Sequence, residues 1–167
     1  VINYASYVLV IFNFIYAMYL FKKYKVFCRK TTYLFPFVML GVAISCFGNM
    51  IILKINTNDI VEMNIIFLIL SSVIVGPLVE ELVFRNILTN KLLYFNNRVV
   101  AILLSSFIFA IMHNGIINVI YAFMLGIILN TIYIKGKNLL YPLIVHSSAN
   151  LIALFLTTIL TTMSIVY

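Results

Sequence analysis

Glu80 and Glu81 stand side by side and supply two of the four acidic residues in the chain, and His113 and His146 are its only histidines. All four lie in runs that are otherwise strongly apolar. Carboxylates and imidazoles are the groups that carry protons in general acid–base chemistry, and adjacent carboxylates are well suited to provide a base. The spacing sorts the rest. Glu81 and Arg85, Phe109 and His113, and His146 and Asn150 are each four apart, so on helices each pair shares a face. Glu81 and Arg85 are then an ion pair that neutralises itself, while Glu80, turned about 100° away, faces a cavity. The Phe109 ring packs beside the His113 imidazole and fixes it. His146 and Asn150 present two polar side chains on one side of a helix lined by Leu, Ile and Val.

A bland reading exists for each residue. Glu81 and Arg85 could simply lock two helices together, and a lone intramembrane histidine could hydrogen-bond its neighbour. Against this, a charge near the centre of a bilayer costs at least ~2.5–3.5 kcal/mol, so such residues mark sites. An acid pair, two histidines and an asparagine on three separate apolar segments point to one shared cavity.

The elements that position these residues follow from composition. Of 167 residues, 65% are hydrophobic and 9% charged, against about 25% charged in soluble domains. A chain this short cannot bury that much apolar surface in a soluble core, so the bilayer is its solvent. Apolar stretches of about 20 residues mark about six transmembrane helices near residues 1–21, 32–53, 63–93, 99–113, 116–134 and 139–167. The expected architecture is an all-α integral membrane bundle, with two N-terminal transmembrane helices in 1–62 and a core of about four in 63–167. In the third span, Gly76-Pro77 bends or restarts the helix.

The net charge of +7 does not indicate nucleic acid, because the basic residues cluster between spans. Lys22, Lys23, Lys25, Arg29, Lys30, Arg85, Lys91, Arg98, Lys135 and Lys137 fall on one side and only Lys54 on the other, the pattern of the positive-inside rule. The polar cavity is expected to open toward that cytoplasmic face. By a rise of 1.5 Å per residue, Glu80 lies roughly 16 Å from Lys91, His146 roughly 13 Å from Lys137 and His113 roughly 22 Å from Arg98. The first span lacks a basic lead-in and a small-residue cleavage site, which argues against a signal peptide, and its outside start hints at further spans upstream. Cys28 and Cys46 have no metal or redox spacing and read as unpaired thiols. The Ser105-Ser106 and Ser147-Ser148 pairs read as packing contacts rather than nucleophiles, and Asn118 and Asn130 as helix–helix hydrogen-bonding groups.

Three short motifs occur in order: Glu80-Glu81-Leu82-Val83-Phe84-Arg85, Phe109-Ala110-Ile111-Met112-His113 and His146-Ser147-Ser148-Ala149-Asn150. Each is weak alone, but in this order on three hydrophobic segments they resemble the CPBP family. This family, also called Abi, contains CAAX prenyl proteases and bacteriocin-processing enzymes and includes the Rce1-like proteases. The resemblance covers about residues 65–156. Asn86 departs from it, since many members have glycine after the arginine.

The resemblance implies an intramembrane endopeptidase acting on membrane-associated peptides or proteins, in bacteriocin, signalling-peptide or CAAX-type processing. Glu80 and His113 would activate a water, His146 and Asn150 would stabilise the oxyanion, and Glu81, Arg85 and Phe109 would support them. No cofactor is expected. Were the enzyme a metalloprotease, as the family has also been described, Glu80, His113 and His146 would be the zinc ligands. Expected partners are membrane lipids and a peptide or protein substrate, with no nucleic acid, in a multi-pass protein of a bacterial cytoplasmic membrane. The competing readings are a non-catalytic bacteriocin self-immunity or binding protein of the same fold, and a proton-coupled transporter, which would also use intramembrane Glu and His.

Overall fold

The computed structural model describes residues 65–166, together with the helical positions Val8, Ile11, Phe12, Ile15, Tyr16, Met18 and Tyr19. The second span, the rest of the first and the basic cluster at 22–30 lie outside the described residues, as does most of the proposed 1–62 unit. Every element from 65 to 166 is helical.

The first rod, α1, covers residues 65–95 and changes gauge along its length. It runs as α-helix over Ile65–Leu68, π-helix over Ile69–Val75, α-helix over Gly76–Glu81, π-helix over Leu82–Thr89 and α-helix over Asn90–Phe95. The junction residues Leu68, Val75, Glu81 and Thr89 all keep right-handed helical dihedrals, so the chain passes through without a break. Wide turns of this kind are rare and concentrate at functional sites. Here the first has a local cause. The Gly76 N–H bonds back five residues to the Ser71 carbonyl, and a Cβ at Gly76 would come within 2.9 Å of that oxygen. Pro77 follows with no N–H to give. In the five-residue register its partner would be the Ser72 carbonyl, which is therefore left free to accept from elsewhere.

After a short link come α2 (Arg98–Ile111), α3 (Ile116–Gly136) and α4 (Leu140–Val166). Asn97 caps α2 by accepting from the Val100 N–H at 2.9 Å, satisfying a donor that a helix start leaves unpaired. Asn138 does the same ahead of α4, accepting from Leu140 N–H at 2.9 Å. Ile116–Gly136 and Leu140–Ile159 are long and apolar enough to cross a membrane. The expected span at 99–113 is shorter. At 14 residues, α2 extends only ~21 Å, less than the ~30 Å of a hydrocarbon core. The reason is local: after Ile111 the helix ladder gives way to a tight turn, and α3 begins at Ile116.

The packing inverts the soluble pattern. Large apolar side chains such as Val99, Leu103, Phe107, Ile120, Met124 and Phe155 are exposed, whereas Glu81, Arg85, Thr89, Ser105, Ser106 and Asn130 are fully buried. Small residues let α2 and α3 come together closely. Ala101, Ser105, Ser106, Ala110, Ala122 and Gly126 are all buried, and a Cβ on Gly126 would lie 3.0 Å from Ser106 Cβ. Leu125, Leu129, Ile132, Tyr141 and Val145 join α3 to α4, and Leu82 with Leu139 seals α1 against the start of α4.

Candidate active site

The short α-helical stretch Gly76–Glu81, set between the two π segments, carries both glutamates. Their side chains part as the helical rotation requires: Glu81 is fully buried and Glu80 is 38% exposed. Glu81 is held from two sides. Arg85 Nε lies 3.1 Å from its Oε2, and His146 Nδ1 lies 2.8 Å from its Oε1. The Arg85–Glu81 contact is close enough for an ion pair but too bent for a hydrogen bond, and the terminal nitrogens of Arg85 have no hydrogen-bond partner. The guanidinium instead lies over the Phe109 ring, 4.6 Å from its centroid, where the negative face of the ring attracts it.

His146 is the hinge of the arrangement. A carboxylate can only accept, so Nδ1 carries the hydrogen toward Glu81. Nε2 then faces Glu80 Oε2 at 3.6 Å. Arg85, Glu81, His146 and Glu80 thus form one chain of charged and polar contacts running from the fully buried interior to a partly exposed carboxylate. The i,i+4 spacing accounts for the Arg85–Glu81 link; the double engagement of His146 depends on α4 crossing α1 at this level.

His113 takes a different position. It follows the end of α2, and its N–H donates to the Ala110 carbonyl at 3.0 Å. Its Nδ1 lies 3.0 Å from the Phe109 carbonyl, so that nitrogen also donates and Nε2 retains a free lone pair in the neutral ring. The sequence pairs Glu80 with His113, whereas in the structure the imidazole beside Glu80 is that of His146. The difference comes from α2 ending at Ile111, which ties His113 to the exposed carbonyls of the last turn. Phe109 connects the two histidines: its buried ring meets His113 edge-on at 4.9 Å and His146 at 5.8 Å. Phe84 meets the Phe109 ring edge-on at 5.2 Å.

Asn150, one turn beyond His146, donates from Nδ2 to the Ser72 carbonyl at 2.8 Å. That is the carbonyl released by Pro77, so α4 supplies the donor that proline removed. The sequence singles out both Pro77 and Asn150 but carries no sign of their connection. Nothing in it distinguishes Thr89, which is fully buried. Its hydroxyl lies 2.6 Å from Asn130 Oδ1, 2.9 Å from Ser105 Oγ and 2.8 Å from the Phe84 carbonyl. Asn130 Nδ2 in turn donates to Ser106 Oγ at 3.0 Å. This cluster ties α1, α2 and α3 together about two turns along α1 from the glutamates. Asn118 donates to the Asn114 carbonyl of its own turn at 2.8 Å.

Among the described residues, no group of three His, Cys, Asp or Glu side chains comes together as a metal site requires. Of the three groups a zinc site would draw on, His146 lies between Glu81 and Glu80, and His113 turns its Nδ1 to the Phe109 carbonyl.

The comparisons with known proteins fall on the same segment. The family profile described as type II CAAX prenyl endopeptidase, Rce1-like, matches residues 62–152. A membrane-embedded CAAX protease, MroQ of Staphylococcus aureus, is 39% identical over 85 residues, covering 46% of this chain and 34% of that protein. The UPF0177 protein YxdF of Lactococcus lactis subsp. lactis is 38% identical over 79 residues, covering 47% of this chain and 43% of that protein. The matched region therefore spans less than half the length of these relatives. No solved structure matches. With its glutamate pair, both histidines and Asn150 all inside the matched region, this membrane protein belongs to the Rce1-like family of type II CAAX prenyl endopeptidases.

Proposed function

We propose that the chain is an intramembrane endopeptidase in which Glu80 is the general base. The observation that carries this reading is the partly exposed Glu80 carboxylate at the open end of the buried Arg85–Glu81–His146 chain. Glu81 and Arg85 neutralise each other and hold His146 by Nδ1. Glu80 takes a proton from water, which then attacks the peptide carbonyl. His146 Nε2 beside it is placed to share that proton and pass it toward the leaving amine. His113, when protonated at Nε2, and the second amide hydrogen of Asn150 are the donors for the oxyanion. This divides the work differently from the sequence expectation, which gave His113 to the base and His146 to the oxyanion.

The substrate class proposed is a membrane-associated peptide or protein, by analogy with a relative named as a CAAX protease, and the setting is a bacterial cytoplasmic membrane, since both relatives are bacterial. The test is reconstitution in liposomes with candidate leader peptides and a CAAX-type peptide. Wild type is compared with Glu80→Ala, His113→Ala and His146→Ala. Cleavage by wild type and its loss in Glu80→Ala are expected. Continued cleavage by a folded Glu80→Ala protein would refute the mechanism, and a wild type that cuts nothing yet protects cells from a bacteriocin would favour an immunity role. A chelator arm distinguishes the metal-free mechanism, which it leaves unaffected, from a zinc-dependent one.

A further inference from the structure

Near the C-terminal end of α1, a cavity of ≈ 330 Å³ opens among Asn90 and Leu93 of α1, Arg98 at the start of α2, and Tyr133, Ile134 and Lys137 at the end of α3. It shares no residue with the glutamate–histidine chain. Its two cations are exposed, and among the described residues neither joins an ion pair, since those pairs all involve Glu80 or Glu81. Those two glutamates are also the only acids in the described segment, so no carboxylate there balances Arg98 and Lys137.

The neutral wall is organised. Asn90 Nδ2 donates to the Asn86 carbonyl and to the Tyr133 hydroxyl, both at 2.7 Å. Lys137 adopts a left-handed backbone (φ 49°) at the end of α3, closed by its N–H on the Tyr133 carbonyl at 2.8 Å. A position that ordinarily favours glycine or asparagine is occupied here by a cation on the cavity rim. Arg98 offers a planar fork and Lys137 a point charge, a pair suited to phosphate oxygens. Leu93 and Ile134 add apolar walls for which a free inorganic anion has no use. A tyrosine, two cations and two aliphatic side chains at helix ends match the boundary between headgroup and acyl chain. Lys91 and Lys135 lie at the same end, and with Arg98 and Lys137 they belong to the set that the positive-inside rule assigns to the cytoplasmic leaflet, where the anionic lipids reside.

We propose that this cavity is a binding site for the phosphate headgroup of an anionic phospholipid. The site is independent of the peptidase reading, because it uses none of the residues assigned to catalysis.

The test uses the full chain in nanodiscs of mixed phosphatidylglycerol and phosphatidylcholine, with retained lipid measured by native mass spectrometry. Wild type is expected to retain phosphatidylglycerol selectively. Each cation near an anionic headgroup is worth roughly a fivefold change in binding, so the double variant Arg98→Gln/Lys137→Gln should lose about twenty-five-fold. The swap Arg98→Lys/Lys137→Arg should keep the preference. Lys91→Gln/Lys135→Gln removes the same charge outside the cavity and should leave it intact; an equal loss there means diffuse surface attraction and overturns the proposal. In a second arm, inorganic phosphate is titrated into wild type in phosphatidylcholine discs. Saturable binding that Arg98→Gln/Lys137→Gln abolishes, without any preference for phosphatidylglycerol, would assign the cavity to a soluble phosphate and overturn the lipid proposal. Thermal unfolding of each variant confirms that the bundle is intact.

Discussion

Two adjacent glutamates with opposite environments should fail in opposite ways. Glu80 is partly exposed beside His146, so Glu80→Gln keeps the shape and removes the base. Peptide cleavage is expected to fall by about 10²–10⁴-fold, the usual worth of a general base, with the unfolding midpoint nearly unchanged. Arg85 is fully buried against Glu81, and truncating one member of a buried pair leaves an uncompensated charge. Arg85→Met is expected to cost about 3–5 kcal/mol of stability, read as a lowered midpoint in detergent, and to lower activity only as the folded fraction falls. A Glu80→Gln protein as unstable as Arg85→Met would show that Glu80 is a structural residue. The Glu81–Arg85 link was readable from a spacing of four. The position of His146 between the two glutamates was not, because helical spacing orders residues on one rod and is silent about which rod lies opposite.

At the scale of the element, the informative feature is the changing gauge of α1. Hydropathy marks the C-terminal end of this rod to within two residues of Phe95, since the apolar run is long. The π turns left no such trace, because α- and π-helices are built from the same residue types; only Gly76-Pro77 hinted at a disturbance. The structure gives that pair a definite consequence, a freed Ser72 carbonyl that Asn150 fills from α4. A double-mutant cycle tests the connection. Asn150→Ala alone leaves a carbonyl unsatisfied in an apolar setting and should cost about 1–3 kcal/mol. In a Pro77→Ala background residue 77 regains its N–H, so the same truncation should cost measurably less. Additive losses would mean that the proline and the asparagine act separately.

For the whole molecule, the question is what holds three polar segments at one level when lipid gives helices no hydrophobic reason to associate. The composition announced a membrane bundle, and the described segment is helical throughout with its large apolar residues outside. The inner surface was harder to read. Ser105, Ser106, Ala110, Ala122 and Gly126 form no motif in sequence, yet they set the α2–α3 distance and so decide where Phe109 sits between Arg85 and the two histidines. Gly126 is the tightest point, with Ser106 Cβ at 3.0 Å and the Phe109 ring at 3.3 Å from the place a side chain would begin. Gly126→Val therefore cannot be absorbed by one flexible neighbour, and overpacking of this kind costs about 1–3 kcal/mol. It should also push Phe109 away from the histidines, so cleavage is expected to drop by more than the lost stability explains. Gly126→Ala should show the same effects in smaller measure. Thr89→Val provides the contrast: it removes the hydroxyl that joins Phe84, Ser105 and Asn130 without adding bulk at Phe109. It is expected to lower the unfolding midpoint while the protein that remains folded cleaves at the wild-type rate. If both variants lost stability and activity in the same proportion, α2–α3 packing would support the fold alone, and the placement of Phe109 would have no separate part in catalysis.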